Sequence, residues 1–140
     1  MTREEKDLLL QDLCGRLPYG VKCAYFDGCG NERDDVLNGI MPHDERILVG
    51  KCSIDYSDSD ILGLVPYLFP MSSMTEEQKN EFDARTVEIM FGEVVCKKND
   101  EIGYGKLMEF DLDFYNKHHL DWRGLIPMGL AIDATNLNIY

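Results

Sequence analysis

The sequence of 140 residues has few basic side chains for its number of acidic ones. There are 14 Lys and Arg against 26 Asp and Glu, which gives a formal net charge of −12 at pH 7. Its densest basic spot, Lys97 and Lys98, is followed by Asp100 and Glu101. Binding to nucleic acid phosphates needs a basic face, and anionic membrane surfaces attract basic clusters. The charge therefore argues against nucleic acid and membrane partners, and leaves a protein partner or self-association.

Long apolar runs are also missing. A transmembrane helix needs about 20 apolar residues, and the longest candidate, residues 61–69, is interrupted by Gly63 and Pro66. Residues 1–7 are too acidic, and contain too few apolar side chains, for a signal peptide. These absences predict a cytoplasmic protein.

The five cysteines form no pattern of a disulfide framework or of a zinc site. Their number is odd, their spacing is wide and no CxxC pair occurs. Free cysteines are among the most buried residue types and pack as small apolar side chains. We therefore expect neither a metal nor a cofactor, and we expect these residues to be buried: Cys14, Cys23, Cys29, Cys52 and Cys96.

The residues that are present predict an amphipathic first helix. Residues 2–5 form a capping box, with a hydroxyl at the N-cap and a carboxylate three residues later. Pro18 and Gly20 end the helix. Its apolar positions recur at helical spacing, at Leu9, Leu10, Leu13 and Leu17. We expect the opposite face to carry Asp7, Gln11 and Arg16.

Three runs of β-branched and aromatic residues then predict three strands. They cover residues 21–26, 36–41 and 46–54, joined by short loops that are typical of an antiparallel meander. Gly39 and Gly50 lie inside or beside these strands, which indicates a bulge or close packing.

The second half of the chain predicts two more helices. A capping box at residues 75–78 begins a helix that includes Phe82 and reaches residues 87–90, although residues 86–91 would also suit a strand. We expect Gly92 to interrupt this element and residues 99–105 to form a loop. A last helix is predicted over residues 106–119, before a largely irregular tail that starts at residue 121.

The order of these elements predicts one domain, residues 1–140, of the α+β class. A run of strands between helices favours a small antiparallel sheet of about three or more strands, packed with about three helices. The strands do not alternate with helices, as a parallel sheet would require.

Residues 114–124 hold the densest set of chemically distinctive side chains. His118 and His119 point about 100° apart on a helix and cannot easily bind one metal ion together. One interpretation is structural: His118 packs at the core edge, and His119 acts as a cation that caps the helix C-terminus. Asp121 and Arg123 then form hydrogen bonds in the following turn.

Two functional interpretations of the same segment stay open. His119 would act as a general base oriented by Asp121, with Arg123 holding an anionic substrate. In the other interpretation, Trp122 and Arg123 serve as anchors at an interface with another protein. The sequence assigns no catalytic residue; the candidate binding residues are His118, His119, Asp121, Trp122 and Arg123.

Three blocks of sequence, residues 13–21, 66–78 and 113–130, carry a resemblance that covers most of the chain. Together they resemble a family of short uncharacterised proteins from gut anaerobic bacteria and their phages or prophages. The resemblance implies a cytoplasmic protein associated with mobile elements. It implies no activity, cofactor or catalytic residue.

These observations favour a non-catalytic accessory protein that acts by protein binding. A variant of this hypothesis is an acidic inhibitor whose carboxylates replace DNA phosphates on a host enzyme. The alternative is a small enzyme or metabolite-binding protein that uses His118, His119 and Asp121. A self-assembling structural component is a third possibility.

Overall fold

The computed structural model describes residues 2–56, 63–96 and 100–140, with side chains over 2–56, 63–89 and 108–140. The described residues form three α-helices: α1 (Arg3–Arg16), α2 (Glu76–Cys96) and α3 (Asp100–Lys117). They also form six strands: β1 (Lys22–Phe26), β2 (Glu32–Met41), β3 (Arg46–Val49), β4 (Cys52–Asp55), β5 (Val65–Leu68) and β6 (Ile132–Asp133). No helix among the described residues is long and apolar enough to span a bilayer.

The strands form one sheet in the order β4-β3-β2-β1-β5-β6. Neighbours from β4 to β5 are antiparallel, and β5 pairs with β6 in parallel. The prediction of an α+β fold, with an antiparallel sheet packed with helices, is confirmed. The last pair is parallel, because α2 and α3 form the long crossover between β5 and β6 that parallel strands need.

The two glycines singled out in the strands lie at a bulge and at a tight turn. The β2–β3 register shifts between Leu37 and Gly39, which is a bulge. Gly50 has φ 56°, and a Cβ there would overlap the carboxylate of Asp35. Residues 46–54 are therefore two strands, β3 and β4, rather than the single predicted one, because the chain turns at Gly50.

Both predicted capping boxes are present, at Thr2 with Glu5 and at Thr75 with Gln78. The predicted break at Gly92 is wrong, since α2 continues to Cys96.

The predicted loop over residues 99–105 is wrong for residues 100–105, which belong to α3, while residue 99 lies outside the described part of the chain. One internal glycine costs a helix only about 1 kcal/mol. Packing of α2 on α3 offsets that cost, as Phe82 contacts Phe110, Phe114 and Tyr115 at ring-centroid distances of 5.1–5.8 Å.

The main core lies on the face of the sheet that α1 covers. Leu9 and Leu13 of α1 are fully buried, as predicted. Arg16 is also fully buried, so its predicted place on the outer face of α1 is wrong. The reason is an ion pair inside the protein, described below. Other core side chains come from the strands and from the tail: Cys23, Tyr25, Leu37, Ile47, Val49, Leu64, Leu68, Leu125 and Leu130.

The cysteines do not share one environment. Cys23 is fully buried, and burial raises the pKa of its thiol to about 12. Cys14 and Cys29 are exposed, which contradicts the expectation for these two residues. Cys14 lies on α1 at the margin of the core and Cys29 lies in the β1–β2 turn, so neither faces the core. Cys52 is half-buried.

Candidate functional site

The predicted binding residues lie where α3 ends and the chain turns back to the sheet. His119 has φ 56°, a left-handed conformation that often ends a helix. The Leu120 amide donates to the Tyr115 carbonyl at 2.8 Å. Phe69 and its neighbours then hold the turn against β5: the Phe69 amide donates to His119 and the Asp121 amide donates to Phe69, both at 2.8 Å.

His118 faces α2. Its ring lies 4.5 Å from the Phe114 ring between centroids, and its Nδ1 lies 3.3 Å from the Gln78 side-chain nitrogen. Burial lowers the pKa of His118, while the nearby Glu81 carboxylate opposes that shift. The side chain therefore packs at the edge of the core, as the structural interpretation predicts.

His119 faces the C-terminal residue instead. Its ring stacks on Tyr140 with centroids 3.9 Å apart and an angle of 12° between the planes. Burial, with the positive charge of Arg16 and the neighbouring His118, lowers the pKa of His119 to about 4. The expectation of a cationic helix cap is therefore wrong, because the imidazole is neutral at pH 7. Its Nδ1 is buried without a hydrogen-bond partner among the described residues.

Asp121 fixes the turn that follows. Its two carboxylate oxygens accept hydrogen bonds from the backbone amides of Leu125, at 2.7 Å, and Ile126, at 2.9 Å. The predicted turn hydrogen bonds are confirmed for this residue. An oriented general base needs a carboxylate on its imidazole N–H, whereas this carboxylate caps backbone amides and the His119 Nδ1 has no such partner.

Trp122 and Arg123 are brought together; Arg123 points toward α1, and Trp122 contacts Asn116 of α3. The Arg123 guanidinium lies 4.1 Å from the Trp122 ring centroid, and the indole N–H donates to the Asn116 side-chain oxygen at 3.0 Å. The Arg123 Nε lies 3.4 Å from an Asp12 carboxylate oxygen. The five candidates thus separate: Trp122 and Arg123 form a stacked pair, whereas the two histidines face α2 and Tyr140.

Asp12 and Arg16 form the buried centre of this region. Arg16 donates to both Asp12 oxygens, at 2.6 and 3.1 Å, and to the Leu120 carbonyl at 2.7 Å. Both side chains are 0% exposed. This pair was not predicted from the sequence. Its available signal was the spacing of four residues between an Asp and an Arg, which brings them onto one helix face beside Leu9 and Leu13.

An open apolar groove of about 420 Å³ lies next to this cluster. Residues of α1 form one wall, and the end of β2 and the loop after it form another. The lining residues are Leu10, Gln11, Cys14, Ile40, Pro42, Tyr56 and Arg123.

The bulge in β2 places Ile40 in that wall. Leu37 and Ile40 both pack toward the main core although they are three residues apart. Side chains three apart in a regular strand point to opposite faces of the sheet. The extra residue that the bulge inserts into β2 turns the Ile40 side chain to the same face of the sheet as Leu37.

Comparison with protein-family models, curated proteins and solved structures found no match to this chain. Within the described residues, no group of three or more His, Cys, Asp or Glu side chains is placed to hold a metal ion. The groove offers apolar walls, one thiol, one amide and one guanidinium. These groups are suited to holding another molecule in place.

Proposed function

We propose that this chain is a small cytoplasmic accessory protein, not a catalyst, that acts by binding another protein through the groove beside Arg123. The observation that carries the proposal is the apolar groove lined by Arg123, whose guanidinium stacks on the Trp122 ring. Aromatic and arginine anchors next to a pocket are typical of the residues that dominate binding energy at protein interfaces. Association with a phage or another mobile element is part of the same proposal, from the resemblance of the sequence.

The geometry gives less support to an enzyme or metabolite-binding site built from His118, His119 and Asp121. His118 contacts α2, His119 stacks on Tyr140, and the Asp121 carboxylate accepts backbone amides. Each side chain is thus held by a different part of the structure. A substrate would have to displace at least one of these contacts before it reached all three.

The two exposed cysteines provide a matched pair of variants to test the proposal. Cys14 lines the groove, while Cys29 lies in the β1–β2 turn. Cys14→Glu introduces a charge into the apolar groove without disturbing the core, and Cys29→Glu changes the net charge equally elsewhere. We expect tagged wild-type protein and Cys29→Glu to capture the same host protein from lysate. Cys14→Glu should lose at least about 90% of it, because the new carboxylate would occupy apolar space that the partner needs and would compete for Arg123 in the same groove.

The measurement is quantitative mass spectrometry of the captured material, with thermal denaturation of each variant to verify folding. Equal capture by all three proteins would contradict the groove as the binding surface. A small molecule or metal retained by the wild-type protein in a native mass spectrum, without a captured protein, would favour the alternative function.

A further inference from the structure

We infer that the groove receives the C-terminal end of the partner chain, with an apolar last residue between the groove walls and its free carboxylate on Arg123. The inference rests on the proposed function, because it names the part of the partner that binds.

The first argument is the balance of charge around Arg123. One carboxylate, Asp12, faces two guanidinium groups. Arg16 takes both of its oxygens in the shorter contacts, while the Arg123 Nε is 3.4 Å away and forms no hydrogen bond with any described residue. The Asp121 carboxylate accepts two backbone amides. Arg123 therefore retains positive charge at the edge of the groove, where a carboxylate would form charge-assisted hydrogen bonds.

The second argument is the composition of the walls. Leu10, Ile40, Pro42 and the Tyr56 ring provide apolar surface immediately beside this guanidinium. The Lys6 ammonium, which is not among the lining side chains, donates to the Tyr56 carbonyl at 2.5 Å. A ligand complementary to this arrangement carries one negative charge directly next to an apolar group. A chain end with an apolar last residue has that structure, since its carboxylate and its side chain share one Cα.

The third argument is size. One turn of α-helix, about 5.4 Å long and 10 Å across, already fills roughly 420 Å³. The groove, at about 420 Å³, is therefore large enough for the tip of a partner segment. A strongly acidic internal segment would be repelled by a protein of net charge −12. A chain end places a single charge beside Arg123, the one cation among the described residues that line the groove.

The test uses the full chain and two synthetic peptide libraries with the last four positions randomised. One library has free C-terminal carboxylates and the other has C-terminal amides. We expect the protein to enrich free-acid peptides that end in an apolar residue, and to bind their amides at least about tenfold more weakly. Arg123→Gln should weaken binding of the selected free acids by about tenfold or more, since a charge-assisted contact is lost.

Cys14→Glu should also abolish this binding, and Cys29→Glu should leave it unchanged. Because Cys14 is exposed, this variant remains informative if Arg123→Gln fails to fold.

A third library, with the random positions between fixed flanks, distinguishes binding of a chain end from binding of an internal segment. Equal binding of acids and amides, or enrichment from the internal library alone, would overturn the C-terminal inference and leave the proposed function standing. If no library is enriched while decanoate, an apolar carboxylate of small size, protects Cys14 from thiol labelling, both fail and the groove is a small-molecule site. If neither peptides nor decanoate bind, the C-terminal inference fails, and the capture experiment with Cys14→Glu and Cys29→Glu decides the proposed function.

Discussion

The Asp12–Arg16 pair places two charges in the interior of the protein without exposing either of them. Its hydrogen bonds join α1 to the turn after α3, because Arg16 also donates to the Leu120 carbonyl. Burial of an ion pair costs desolvation energy, so the pair is weak support for stability by itself. Removal of one partner, in contrast, is strongly destabilising, because the other charge stays buried.

We expect Arg16→Met to lower the free energy of unfolding by about 3–5 kcal/mol, because Asp12 would keep only its 3.4 Å contact with Arg123. Urea denaturation at pH 7 measures this change. The control is Arg85→Met, which breaks an exposed pair with Glu88 and should cost under about 1 kcal/mol. Similar losses in both variants would contradict the structural role of the buried pair.

His119 couples stability to pH. Burial, Arg16 and His118 lower its pKa from 6.5 to about 4 in the folded protein. Above pH 6.5 His119 is neutral in both the folded and the unfolded protein, so its titration costs no stability there. As the pH falls from 6.5 to about 4, the unfolded chain binds the proton more readily than the folded protein, and the free energy of unfolding decreases. The ring is only partly buried, and the loss attributable to it is about 1–2 kcal/mol after solvent screening.

His119→Asn tests this coupling, because Asn has no titrating group and tolerates a positive φ. Relative to the variant, the free energy of unfolding of the wild type should decrease by about 1–2 kcal/mol from pH 7 to pH 4.5, as measured from unfolding curves at each pH. A difference that stays constant over this range would mean that His119 titrates normally in the folded state.

At the scale of elements, features set by neighbouring residues could be predicted from the sequence, whereas features set by residues far apart in the chain could not. The capping boxes located the starts of α1 and α2, because the bonds at Thr2 and Thr75 involve residues three apart. Gly92 was predicted to break α2 since local propensity ignores packing on α3. The parallel pairing of β5 and β6 depends on contacts across more than 60 residues, which no local pattern encodes.

The same distinction between local and distant contacts explains which parts of the candidate site could be predicted. The stack of Trp122 on Arg123 and the capping of turn amides by Asp121 are local, and the segment was recognised from its sequence. The partners that decide the role of each side chain come from far away in the chain. Asp12 lies opposite Arg123 and Tyr140 covers His119. The groove was missed because its walls belong to elements separated by tens of residues.

At the scale of the whole molecule, an uneven balance of charge accompanies an otherwise ordinary apolar core. The net charge of −12 arises from acidic side chains that are mostly at the surface, such as Glu32, Asp34 and Asp35 on β2. The cations of the candidate site lie near one another: Arg16 is fully buried and Arg123 is 24% exposed. Beside the groove, two guanidinium groups thus face the single carboxylate of Asp12, whereas the molecule as a whole carries an excess of negative charge.

This distribution makes stability depend on salt. Like charges repel one another over the surface, and added salt screens this repulsion between charges more than about 10 Å apart at 0.1 M. Between 10 and 300 mM NaCl at pH 7.5 we expect stability to rise by about 1 kcal/mol, or roughly 2–4 °C in Tm.

Thermal scans at pH 4.5, close to the sequence pI of about 4.5, serve as the control, because the net charge and its salt response should nearly vanish there. A Tm that falls with salt at pH 7.5 would mean that attraction within exposed pairs, such as Arg33 with Asp27, outweighs the overall repulsion. The surface would then be organised by pairs of opposite charge, and its net charge would not govern its stability.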